Sequence, residues 1–186
     1  MVDAMRFEEA SAVTHPAALV LETLIERMEV IAPFLRNVER IDTLDRTDLA
    51  GGRVRIVRRW QGSHDSVPVA VRRFVTPTML AWLDTAVWTP ADWRVEWSHA
   101  TCVAGVAQLY ECAGTNWFQP DPAAPGTTHI RITGDLVVHP ERVPGVPGFL
   151  ARGLAPQVES FILGLLTPNL TGLAGGLQRY FDRPRP

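Results

Sequence analysis

The stretch Phe7-Glu8-Glu9-Ala10-Ser11-Ala12-Val13-Thr14-His15-Pro16 decides how the rest of the chain is read. Residues Met5 to Val13 read as a strand. Thr14, His15 and Pro16 then open a helix, because proline suits a first turn, where its missing N–H would have gone unpaired anyway. The helix is expected to run to about Val30: Leu21, Leu24 and Met28 recur at helical spacing, while Glu22, Glu26, Arg27 and Glu29 take the outer positions. Pro33 starts a second, shorter helical turn that reaches Asn37.

No helical period returns until about residue 150. The chain instead reads as strands bounded by turn residues: Val38 to Leu49, Arg53 to Trp60, Val67 to Val75, Met79 to Trp88, Trp93 to Thr101, Val103 to Trp117 and Thr127 to His139. Gly51-Gly52 and Thr89-Pro90-Ala91-Asp92 mark two of the turns. Gln119 to Gly126 carries three prolines and reads as a hairpin loop, and Pro140 to Gly148 as another loop. From Phe149 or Ala155 onward the chain turns helical. Leu163, Leu166, Leu170, Leu173, Leu177 and Phe181 form one stripe, with Pro168 expected to kink it. A meander of antiparallel strands has one face to bury, and only the two ends of the chain can cover it. The expectation is an α+β fold with the C-terminal helix lying across the sheet.

Composition narrows the function classes. Of 186 residues, 46% are hydrophobic and 20% charged, the balance of a globular chain. The 18 basic and 20 acidic residues leave a net charge of -2 with neither sign gathered in a block, which argues against nucleic acid as a partner. The two cysteines, Cys102 and Cys112, and the lack of an apolar leader point to a reducing cytoplasm. Apolar runs such as Ala17 to Leu21 fall far short of the ~20 residues that span a bilayer. The five histidines are scattered and no phosphate loop or nucleophile elbow occurs, so neither a metal nor a cofactor is expected.

The first strand Phe7 to Val13, the immediate His15-Pro16 helix start and the apolar C-terminal helix together resemble the START-like, or SRPBCC, superfamily. Its members include the birch pollen allergen, lipid-transfer domains and polyketide cyclases. The resemblance covers nearly the whole chain and implies a single START-like domain over residues 1–186. It also implies a helix-grip fold: a curved antiparallel sheet of six to seven strands wrapped round a long C-terminal helix, with two short helices after the first strand. Such a fold would enclose a cavity open to a small apolar ligand, a lipid, a polyketide or similar.

Residue patterns suggest what would line that cavity. Period-two alternation puts Val54, Ile56, Arg58 and Trp60 on one face of a strand, and Leu80, Trp82, Asp84, Ala86 and Trp88 on one face of another. Trp60, Trp82, Trp88, Trp93 and Trp97 all fall on strands, where they suit either cavity walls or a solid core. Arg58 among apolar neighbours would be expensive unpaired, so it should meet a carboxylate or a ligand anion, and Asp84 is the natural counter-ion. His99 continues the Trp93, Val95, Trp97 alternation and could exchange protons near neutral pH. Glu111 and Tyr110 are weaker candidates. The expected ligand contacts are Ile56, Arg58, Trp60, Trp82, Trp97, Ile162, Leu165 and Leu166, with Arg58, Asp84 and His99 as the catalytic candidates. Two functions compete: a binding module, and a polyketide cyclase or dehydratase. A partner-binding protein that uses the loops 119–126 and 140–148 is a third.

Overall fold

The computed structural model describes residues 4–66, 76–102, 110–139 and 172–184. Seven strands form one antiparallel sheet: β1 (Met5–Val13), β2 (Val38–Leu49), β3 (Arg53–Gly62), β4 (Ala81–Thr89), β5 (Arg94–Thr101), β6 (Tyr110–Pro120) and β7 (Thr128–Val138). Their order is β1-β7-β6-β5-β4-β3-β2, so the first strand closes against the last and β1 and β2 form the edges. Helices α1 (Ala17–Glu26) and α2 (Met28–Ile31) follow β1, and a C-terminal helix, α3, covers residues 172–182. This is the α+β order expected from the alternating strands and the apolar C-terminal stripe, and the helix-grip arrangement that the family resemblance implies. The expected strand Val67 to Val75, and the part of the C-terminal helix before residue 172 with Pro168, lie outside the described residues.

Alternation is clear wherever a strand has one face on the core. Along β7, Ile130, Ile132 and Leu136 are buried while His129, Arg131 and Asp135 face out. Helix α1 turns Val20, Leu21, Leu24 and Ile25 onto the same core, and α3 contributes Leu173, Ala174, Leu177 and Tyr180.

Several boundaries differ from the sequence expectation, each for a local reason. The first helix does not run unbroken to Val30: at Arg27 the backbone turns to φ −140° and ψ 28°, which ends α1 and starts α2 anew. The turn expected from Pro33 to Asn37 shrinks to a single 3₁₀ turn at Ala32–Phe34, and Asn37 adopts φ 63°, a conformation asparagine tolerates. Pro77 opens a 3₁₀ turn, Pro77–Leu80, so β4 starts two residues later than the expected Met79. Trp93 is not on a strand. It ends the turn Pro90–Asp92 at φ 55°, and its carbonyl accepts the Phe118 N–H at 2.7 Å. Strand β6 extends to Pro120, which trims the hairpin loop to residues 121–127.

Two close approaches shape the interior. Gly114 and Gly134 face each other across β6 and β7, and a Cβ on Gly114 would meet the Thr133 carbonyl oxygen at 2.1 Å and the Trp97 ring at 2.6 Å. The missing side chains leave room for the rings of Trp97 and Phe7, which stack with centroids 6.4 Å apart. At Gly176 a Cβ would sit 2.7 Å from Leu35 Cδ2, so this glycine lets α3 press against the turn after α2.

Polar contacts tie down the rest of α3. Gln178 accepts the Thr14 backbone N–H at 2.9 Å and donates to Thr14 Oγ1 at 2.8 Å. His15 Nε2 lies 3.2 Å from Asp182 Oδ1, and Arg179 Nη2 donates to the Phe34 carbonyl at 2.5 Å.

Candidate ligand-binding cavity

The inward face of the sheet is organised in cross-strand rows. One row runs Thr43, Arg58, Asp84, His99, Cys112, Leu136 and Met5, each residue directly opposite the next on the adjacent strand. Another pairs Ile41, Trp60, Trp82 and Thr101. The three residues picked out by alternation for their chemistry thus become neighbours on β3, β4 and β5.

Arg58 is among the largest fully buried side chains, 2% exposed. Its Nη2 donates to the Ile25 carbonyl at 2.6 Å and its Nε to Thr43 Oγ1 at 3.2 Å. Ile25 lies in the last turn of α1, where backbone carbonyls lack helical partners, so the guanidinium caps the negative end of the helix. Thr43 in turn hydrogen-bonds Glu29. Burial pulls the Arg58 pKa below its ordinary value, an effect that Glu29 and Asp84 oppose.

Asp84 is therefore not the ion-pair partner of Arg58, contrary to expectation. The two stand opposite in register, but the long arginine side chain reaches to the end of α1, and the Asp84 carboxylate instead lies 3.4 Å from His99 Nε2. Both side chains of that pair are nearly enclosed, at 12% and 11% exposure. The His99 ring lies between two indoles, with centroids 4.7 Å from Trp97 and 6.1 Å from Trp82, and its Nδ1 is buried without a partner.

These groups line a cavity of about 70 Å³ between the sheet, α1 and α3. Trp60, Trp82, Trp88 and Trp97 are its aromatic wall, Leu24 and Leu173 reach it from the helices, and Arg58, Asp84, His99 and Asn116 are its polar members. Trp60 and Trp82 stack at 5.6 Å. The Trp97 Nε1 donates to Asn116 Oδ1 at 2.7 Å, whereas the indole N–H groups of Trp60, Trp82 and Trp88 are buried with no acceptor. At roughly 10–15 Å³ per water-sized group the volume holds about five to seven such groups, well below the ~300–1,000 Å³ of a pocket for drug-sized molecules.

Of the other residues expected here, Ile56 is buried in the core on the same face of β3, and Ile162, Leu165 and Leu166 lie outside the described residues. Tyr110 points inward, and burial raises the pKa of its phenol. Glu111 points out and meets His139 at 3.2 Å, away from the cavity. Asn116 was missed. Its signal was the alternation Cys112, Gly114, Asn116, Phe118, which puts an amide on the face of a phenylalanine that is fully buried. Among the described residues no group of three or more His, Cys, Asp or Glu could hold a metal ion, and no helix is long and apolar enough to cross a membrane.

No protein-family model matches the chain, and no curated protein matches its sequence. Among solved structures it is similar to the Zhui aromatase/cyclase from Streptomyces sp. R1128, with a TM-score of 0.64 at 16% identity over 97% of each chain. A START superfamily protein from Mycobacterium smegmatis matches with a TM-score of 0.48 at 14% identity, over 94% of this chain and 99% of that one. Ara h 8.0201 matches with a TM-score of 0.48 at 11% identity, over 91% and 99%. The chain shares the helix-grip fold of the aromatase/cyclase.

Proposed function

We propose that this chain binds a small hydrophobic ligand, a lipid, a polyketide or similar, in the cavity between the sheet and the C-terminal helix. The observation that carries the reading is a cavity walled by four tryptophans and holding a few enclosed polar groups, the composition by which pockets gain affinity from apolar area and orientation from isolated hydrogen bonds. Ile56, Trp60, Trp82 and Trp97 are the apolar contacts and Arg58 the polar one, with Ile162, Leu165 and Leu166 as contacts from the C-terminal segment. A ligand much larger than the present volume requires the indoles or α3 to move. The two free cysteines agree with a reducing, cytoplasmic setting.

A second reading, a cyclase or dehydratase, is favoured by one feature, the enclosed His99–Asp84 pair on the cavity wall. In it His99 moves a proton on the bound molecule, Asp84 supports the imidazolium, and Arg58 stabilises developing negative charge. The fold shared with an aromatase/cyclase agrees with this reading.

The test is native purification, extraction with organic solvent and mass spectrometry of co-purified molecules, with tryptophan fluorescence followed as candidates are titrated. A stoichiometric ligand with saturable quenching supports binding, and a protein that takes up none of a broad apolar panel refutes it. For the enzyme reading, His99→Ala and Asp84→Asn should abolish turnover with affinity little changed. Turnover equal to wild type in both would eliminate it.

A further inference from the structure

Four tryptophans line the cavity, but they differ in what their N–H groups meet. That of Trp97 is spent on Asn116, while those of Trp60, Trp82 and Trp88 are buried without an acceptor. Their side chains are more than nine-tenths buried, at 8%, 7% and 4% exposure. An indole N–H can only donate, so each such group lacks the partner that buried polar groups almost always have. The orphans are not evenly spread. Trp60 and Trp82 are opposite in register and stacked, and the His99 ring, whose Nδ1 is also unpartnered, packs on Trp82. Trp88 lies six residues further along β4, roughly 20 Å at strand rise. One end of the cavity therefore gathers two unused donors and an unused imidazole nitrogen.

We infer that the Trp60, Trp82 and His99 end of the cavity is an oxygen subsite that takes the carbonyl or hydroxyl oxygen of a compact, ring-sized molecule. This rests on the reading of the cavity as a ligand site and adds which end is polar, what chemistry it takes, and how large the ligand is. A carbonyl oxygen has two lone pairs and can accept from both indoles. A hydroxyl can also donate to His99 Nδ1. The space of about 70 Å³ among the described residues is nearer to one ring than to a long acyl chain, so the proposed occupant is compact. Arg58 and Asp84 stand directly opposite one another on the wall at this end and their charges offset each other, so a neutral oxygen is preferred.

The experiment compares three probes on the intact protein: acetophenone, cumene, which carries a methyl in place of the oxygen at similar size, and dodecanoate. Affinities come from calorimetry, and the indole N–H resonances are followed by ¹H–¹⁵N NMR. Acetophenone should move the Trp60 and Trp82 resonances downfield and leave that of Trp97 in place, and cumene should not produce the downfield shift. In Trp60→Phe and Trp82→Phe the ratio of acetophenone to cumene affinity should fall about fivefold, the effect of one hydrogen bond. The ratio cancels any packing loss common to both probes, and the wild-type spectrum needs no variant to fold. If both ketone and hydrocarbon shift the indoles alike and the ratio is unchanged, the oxygen subsite is wrong and the apolar cavity stands. Tighter binding of dodecanoate than of either ring overturns the size limit. Saturation by none of the three overturns the cavity reading along with this one.

Discussion

The row of residues that crosses the sheet from Thr43 to Met5 changes character halfway. On β3, β4 and β5 it is Arg58, Asp84 and His99, and on β6 and β7 it is Cys112 and Leu136. Burial does not distinguish Arg58 from Leu136, at 2% and 1% exposed. What differs is the origin of their stabilisation. Leu136 needs only close neighbours. Arg58 needs acceptors, which come from elements outside its own strand, the end of α1 and the edge strand β2. The apolar half is thus ordinary core, and the polar half is core held in place by its surroundings, where binding or catalysis can reside without dismantling the fold.

If that division is right, substitutions in the two halves should fail differently. Leu136→Ala should cost the most, about 3–4 kcal/mol in urea unfolding through lost transfer energy plus a cavity, with ligand affinity of the folded protein unchanged. A cost below about 1 kcal/mol would mean that this half is not close-packed core. Gly114→Ala, which drives a Cβ into the Thr133 carbonyl and the Trp97 ring, should cost about 2–3 kcal/mol and alter the near-ultraviolet circular dichroism of Trp97. An unchanged spectrum would show that the glycine pair does not seat that ring. Arg58→Met should change stability by no more than about 1 kcal/mol, because the desolvation of the guanidinium offsets much of what its hydrogen bonds contribute, yet it should weaken ligand binding. Strong destabilisation with intact binding would reverse the roles of the two halves.

The smallest effect belongs to the exposed latch between α3 and the start of α1. Hydrogen bonds from Gln178 and then His15 hold the Asp182 carboxyl below its ordinary value of 3.8. A carboxyl with a lowered folded pKa stabilises above its unfolded value, and loses that contribution as pH falls through the folded one. The advantage of wild type over Asp182→Asn should therefore shrink between about pH 5 and about pH 3. Urea midpoints that differ by the same amount across that window would remove the carboxylate from the latch.

Much of the polar half is legible in the sequence. Alternation along β3, β4 and β5 survives the charged residues, so Arg58, Asp84 and His99 could be assigned to the tryptophan-bearing face. What misled was pairing by type. Asp84 looked like the partner of Arg58 because opposite charges shared a face, and no sequence pattern shows that the guanidinium reaches the carbonyl of Ile25, 33 residues away. Asn116 was passed over because a lone amide in a long strand gives no periodic signal beyond its neighbours. Trp93 reads as a strand residue because it continues the alternation of Val95 and Trp97 back to the turn at Thr89–Asp92. A left-handed turn residue of that bulk is set by the hydrogen bonds closing the loop, to the Pro90 carbonyl and from Phe118.

Strand and helix periods, the order of elements and the inward face of each strand follow from dihedral geometry and the partition of apolar side chains, both written within a few residues of each position. They determined an α+β order with a C-terminal helix across an antiparallel sheet, and the family resemblance they carry implied the helix grip. Register, the partner each buried charge takes, and a cavity of about 70 Å³ depend on contacts between segments tens of residues apart. Shifts smaller than a methyl group change those contacts, so only the tertiary structure decided that Arg58 caps a helix, that His99 meets Asp84, and that the indole N–H groups of Trp60 and Trp82 are buried without an acceptor.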